Sequence, residues 1–137
     1  MTDRNRRRRP GFDEYALAGT FRHGRKLEPS TGNVRTVRIP WGHLDPDEKL
    51  YIVESQHPRF NIRPGDILVV KRATRVASGR LVLARLGERI YLGYWWAKQG
   101  RRALMDEDLR PIVEHQELRI LGTVTVTLRY RDPSQGA

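Results

Sequence analysis

A chain of 137 residues, 38% hydrophobic and 31% charged, has the size of one domain with a modest core. No apolar run approaches the roughly 20 residues that a membrane helix requires. The basic first ten residues lead into no apolar stretch of secretory type, and the lack of cysteine excludes disulfides, thiolate zinc sites and thiol nucleophiles together. These features fit a cytoplasmic, reducing setting, and the net charge of +10 favours polyanionic partners over neutral or basic ones.

In chain order, residues 1–12 hold Arg4, Arg6, Arg7, Arg8 and Arg9 against Asp3, which places +4 of the charge in a short arm. Such a run cannot help a core. It reads as a solvated, flexible arm that waits for an acidic partner. Residues 13–132 read as one domain and residues 133–137 as a tail, with the other +6 spread over the domain. Glu14 to Ala18 reads as a single helical turn. Short runs rich in β-branched and aromatic residues then predict strands at Val34–Ile39, Leu50–Glu54, Ile67–Arg72, Leu81–Leu86, Arg89–Trp96 and within Leu118–Tyr130. The alternation in Thr123-Val124-Thr125-Val126-Thr127-Leu128 suits a half-buried strand. Ile90, Leu92, Tyr94 and Trp96 share one face of theirs, with Tyr91 and Trp95 on the other. Arg63-Pro64-Gly65-Asp66, Ser78-Gly79, Gly87-Glu88 and Gln99-Gly100 punctuate the runs, and Gly87-Glu88 has the form of a tight hairpin. Leu104 to Leu109 reads as a second helical turn. The expected fold is a compact, mostly β, mostly antiparallel domain.

Several chemistries fall away by elimination. His23, His43, His57 and His115 are scattered, none three to five residues from another, so a metal site would need distant strands to converge on them. No phosphate-cradling glycine loop is present, and neither a metal nor a cofactor is expected. The carboxylates Asp106, Glu107 and Asp108 read as a solvated loop, as do Asp45, Asp47 and Glu48. Trp95 and Trp96 read as core or interface residues rather than a platform for bases.

One ordered set of motifs remains. Leu50 to Glu54 ends at Ser55-Gln56-His57-Pro58, Gly65-Asp66 opens Ile67-Leu68-Val69-Val70, Gly79 precedes Leu81-Val82-Leu83-Ala84-Arg85, and Gly87-Glu88 leads into Ile90-Tyr91-Leu92-Gly93. From Tyr15 to Arg131 this set resembles the self-cleaving serine peptidases of the LexA and UmuD type, whose fold is shared with signal peptidases. Members carry Gly-Asp-Ser-Met, then a Gly-Asp turn into a Leu-Val-Val strand, a Gly-x-(Val/Leu)-Val-x-Ala-Arg strand and a hairpin ending in Val-Lys-Arg. The resemblance implies Ser55 as nucleophile, although counting back from Gly65-Asp66 without gaps puts the serine slot on Gln56. It also likens Ala18-Gly19 to the family's scissile bond.

The departures matter as much. Val53-Glu54 replaces Gly-Asp, and Gly93 stands where the resemblance expects the general-base lysine. Lys98 lies five residues further on and matches a solvated hairpin residue, while His57 is too close to Ser55 in sequence to face it. The reading is a catalytically inactive LexA/UmuD-like domain, a regulatory or interaction module that forms a homodimer. Its arginine arm would contact nucleic acid without reading sequence, and a protein partner and an SOS-type role are implied by the resemblance alone. With no helix-turn-helix ahead of the domain, the layout is nearer UmuD than the LexA repressor. The alternative is an active, Ser55-dependent peptidase cutting at Ala18-Gly19 with an unrecognised base.

Overall fold

The computed structural model describes residues 14–29, 36–55 and 60–129. These residues form twelve strands and, among them, no α-helix: β1 (Glu14–Ala16), β2 (Gly19–Phe21), β3 (Arg25–Lys26), β4 (Glu28–Pro29), β5 (Thr36–Arg38), β6 (Glu48–Val53), β7 (Ile67–Arg72), β8 (Leu81–Leu86), β9 (Arg89–Lys98), β10 (Arg101–Met105), β11 (Pro111–Glu114) and β12 (Arg119–Leu128). β1 and β5 make a two-stranded sheet. The main sheet runs β11-β10-β9-β8-β12-β7-β6-β2-β4, and β3 pairs with β9 away from that path.

That last pairing turns an open sheet into a nearly closed one. β2 lies parallel to β6, Phe21 opposite Val53, and after a short turn β3 lies antiparallel to β9, Arg25 opposite Ile90. Strands far apart in the sheet are thereby joined around one interior, filled by Phe21, Val53, Ile62, Leu68, Val70, Leu83, Ile90 and Leu92.

The alternation of each strand sorts its other residues outward. Leu50, Ile52, Ile67 and Val69 leave β6 and β7 on the reverse face, where Leu17, Val37 and Ile39 cover them. Val82, Ala84 and Trp95 leave β8 and β9 on their reverse face, against Leu104 and Leu118. β6 to β9 are thus buried on both sides, which is why they read as nearly continuous apolar runs. The expected segregation of Ile90 and Leu92 from Tyr91 and Trp95 matches these clusters.

Two expected helical turns are strands. Glu14–Ala16 is extended because Tyr15 packs onto the Leu17–Val37 cluster while the backbone pairs with β5. Leu104 and Met105 close β10, and the chain then turns at Asp106 rather than coiling. Asp106 is not solvated as expected: only 3% exposed, its carboxylate accepts the Asp108 and Arg110 amides at 2.8 and 3.0 Å and so builds the turn. Leu109 takes the strained left-handed φ of 61° within it.

The turn before β7 carries a second buried carboxylate, Asp66. Arg129, just past β12, donates to it from Nε at 2.9 Å and from Nη2 at 2.8 Å, and the Arg63 amide donates at 2.9 Å. Burial by itself pushes the Asp66 carboxyl up, but the hydrogen bonds and charges of Arg129 and Arg63 outweigh it and hold the group below the usual carboxylate range. A carboxyl lowered by folding adds stability above its unfolded value, and that stability is lost as pH falls through the folded value. Asp66→Asn is therefore expected to cost about 1.5–3 kcal/mol at neutral pH, the range for hydrogen bonds to a charged group. In urea unfolding the gap to the parent chain should shrink as pH falls below the aspartate range; a gap independent of pH would place the cost in packing instead.

Candidate functional site

The strap that closes the sheet also builds the site. β6 ends at Val53, whose amide donates to the Asp66 carbonyl at 2.8 Å, and the Glu54 amide continues the parallel ladder to the Phe21 carbonyl at 2.9 Å. One residue further, the ladder ends on a side chain: Ser55 Oγ accepts the His23 backbone amide at 3.1 Å. The imidazole of the same His23 reaches across to β9, where Nδ1 accepts the Leu92 amide at 3.2 Å. The Gly24 amide donates to the Ile90 carbonyl at 2.7 Å. Three successive links thus tie the end of β6 to the middle of β9.

The ring is placed by aromatic contacts, edge-on to Tyr91 at 5.3 Å and to Phe21 at 6.4 Å between centroids. With Nδ1 accepting, the proton of the neutral ring is on Nε2. Burial pushes the His23 pKa down, in line with a ring whose Nδ1 lone pair is already engaged. Ser55 and His23 open on a groove of about 730 Å³ bordered by Arg22, Arg25, Glu28 and Glu54. Phe60 packs against the neighbouring interior, its ring 5.5 Å from that of Tyr94 between centroids.

The other expected site residues do not converge on Ser55. Gly93 is buried in β9 on the face of Tyr91 and Trp95, away from the Phe21–Val53 interior. A Cβ built there would lie 2.9 Å from Leu104 Cβ and 3.2 Å from both Ile112 Cδ1 and the Met105 carbonyl. Lys26, Lys49, Lys71 and Lys98 are all exposed, Lys26 and Lys71 turning to Glu88 and Asp47 at 3.9 and 4.0 Å.

Ala18 and Gly19 lie inside a ladder: the Ala18 amide donates to the Leu50 carbonyl at 2.7 Å, and Gly19 pairs with Tyr51 on one side and Pro29 on the other. A Cβ at Gly19 would meet the Glu28 carbonyl at 2.6 Å, so only glycine fits between these strands. Ser55 is four residues beyond Tyr51, roughly 13 Å along the strand. In this conformation the Ala18-Gly19 bond is not presented to Ser55.

Gln56 and His57, like Arg4 and Arg6 to Arg9 of the arm, lie outside the described residues. Among the described residues no three metal-binding side chains converge, and no helix is long and apolar enough to cross a membrane. His23 is the site residue that sequence reasoning missed. In sequence it suggests only a metal ligand, and its partners lie 32 and 69 residues away.

The topology defines a class, among the described residues a mostly antiparallel β domain with one short parallel pairing, closed by β3 on β9, with a serine just past the end of β6. Over half of its length the chain is similar to the LexA repressor of Bordetella petrii, 38% identical over 72 residues that make up 50% of this chain and 32% of the repressor. The chain thus spans about a third of the curated relative it matches, and the likeness supports a LexA-like chain at that coarse level. No protein-family model matches it.

The imidazole contact carries a pH signature. Protonating Nδ1 would turn the acceptor of the Leu92 amide into a donor. A histidine lowered by folding gives stability that is full above its unfolded value, near 6.5, and lost as pH falls through it toward the folded value. The urea midpoint of the parent chain should fall between pH 7.5 and pH 5. His23→Ala should be about 1–3 kcal/mol less stable at pH 7.5, the cost of an unsatisfied buried amide, and its midpoint should change less over the same interval. Equal pH dependence in both chains would exclude His23 as the titrating group.

Proposed function

We propose that the chain is a catalytically inactive LexA/UmuD-like domain, a regulatory or interaction module that works as a homodimer and contacts nucleic acid through Arg4, Arg6, Arg7, Arg8 and Arg9. The observation that carries this reading is the packing at Gly93. A serine nucleophile needs a base to take its proton, and a lysine serves only where burial strips water from its ammonium. Glycine supplies no base, Leu104 and Ile112 occupy the space that a side chain would enter, and the four lysines are exposed. Ser55 Oγ has a structural task instead, accepting the amide of His23.

The experiment is incubation of the full chain at alkaline pH, read by intact mass. The chain should stay whole. Scission between Ala18 and Gly19 that Ser55→Ala abolishes would overturn the reading in favour of an active peptidase. Gly93→Lys should not create cleavage, and it should cost roughly 1–3 kcal/mol in urea unfolding, the range for overpacking. Sedimentation equilibrium tests the dimer: a monomer at every concentration removes that part of the proposal.

A further inference from the structure

The geometry points to a second nucleic-acid surface, on the domain itself and separate from the arm: an arginine-lined groove that takes the phosphate backbone of a single strand. The groove, of about 650 Å³, is bordered by Arg72, Arg75, Arg85, Arg102 and Arg119, and no carboxylate lines it. These five come from β7, the β7–β8 connection, β8, β10 and the start of β12. The fold gathers around one groove a charge that is scattered in sequence.

Three observations favour a polyanion there. All five arginines are exposed, and among the described residues none has an ion-paired carboxylate. Arg85 and Arg119 are direct cross-strand partners, an arrangement of like charges that costs stability unless an anion sits between or above them. Arg102 Nη1 donates to the Leu118 carbonyl at 3.3 Å, which orients its guanidinium without neutralising it.

The chemistry of the lining selects the occupant. A planar guanidinium grips phosphate oxygens in a fork that lysine cannot offer, and every cation of the groove is arginine. Half-buried Val76, Ile120 and Leu121 also line it, Ile120 and Leu121 from opposite faces of β12. A single strand sets its bases against such apolar side chains while its phosphates meet the arginines; a duplex keeps its bases stacked inside and gains nothing from them.

The test uses the full chain and a fluorescent oligothymidylate, with anisotropy read across a salt series. Replacing Arg72, Arg85 and Arg119 by Gln should weaken binding and reduce the slope of log K against log salt by about 2, at about 0.7 per arginine lost on a single strand. Lysine at the same positions should keep the slope. Replacing Arg4, Arg6, Arg7, Arg8 and Arg9 by Gln reads the arm separately, so failure of one surface leaves the other measurable. Removing one of two facing arginines relieves repulsion, so Arg119→Gln should not lower the melting temperature. An unchanged slope in the groove variant would overturn the proposal. So would tighter binding of a duplex of equal length, equal binding of polyglutamate, or a marked loss of melting temperature in Arg119→Gln.

Discussion

The fold depends on how the end of β6 is held against the middle of β9. A sheet of this length, built from short strands, would otherwise end in two open edges, with the Phe21–Val53 interior exposed between them. The turn after β2 prevents this with three consecutive bonds, from His23 to Ser55, from Leu92 to the His23 ring, and from Gly24 to Ile90. The middle bond uses a side chain where the ladder has no backbone to offer, since β3 leaves β9 after Ile90 and β10 joins it only at Tyr94. An imidazole suits that gap because its neutral ring presents an acceptor on a rigid frame. The same position leaves it sensitive to acid.

Asp66 extends this constraint on the far side of β6. Its carbonyl accepts the Val53 amide two residues before Ser55, while its carboxylate draws in Arg129 from beyond β12, and Arg129 also reaches the Asn61 carbonyl at 2.9 Å. The segment that leaves Ser55 therefore returns to the sheet through a clasp between a buried anion and a half-exposed cation. Both halves of the site, the strand that presents Ser55 and the turn behind it, are fixed by polar groups. Apolar packing fills the interior but does not decide where the strand ends stand.

What could be read along the chain followed from distance in sequence. β7 and β8 were legible to the residue, because runs buried on both faces declare themselves locally. Glu14–Ala16 and the end of β10, Leu104 and Met105, read as parts of helical turns because their extension depends on partners elsewhere, β5 for one and β9 for the other. Asp106 looked solvated because neighbouring carboxylates usually are, yet it collects two amides from its own turn. His23 gave no signal, since a ring that replaces one ladder bond has no local pattern. The parallel pairing that brings it to Ser55 is invisible until the strand order is known.

The charge shows the same lesson in a form that bears on function. Read along the sequence, the positive charge beyond the arm is diffuse, and a LexA-like β domain gives no reason to expect it to gather. The pairing of β8 with β12 puts Arg85 opposite Arg119, and β7 on the other side of β12 brings Arg72 within one strand of them. Electrostatic repulsion among those guanidinium groups works against the folded state, and Glu114, Asp66, Glu88 and Asp47 pair instead with Arg101, Arg129, Lys26 and Lys71. On the inactive-module reading proposed above, Ser55 serves a structural bond and no peptide cleavage is expected. An uncompensated arginine cluster is costly in such a domain unless something outside the chain answers it. That makes the groove, more than the serine, the place where the surface chemistry of this protein calls for a partner.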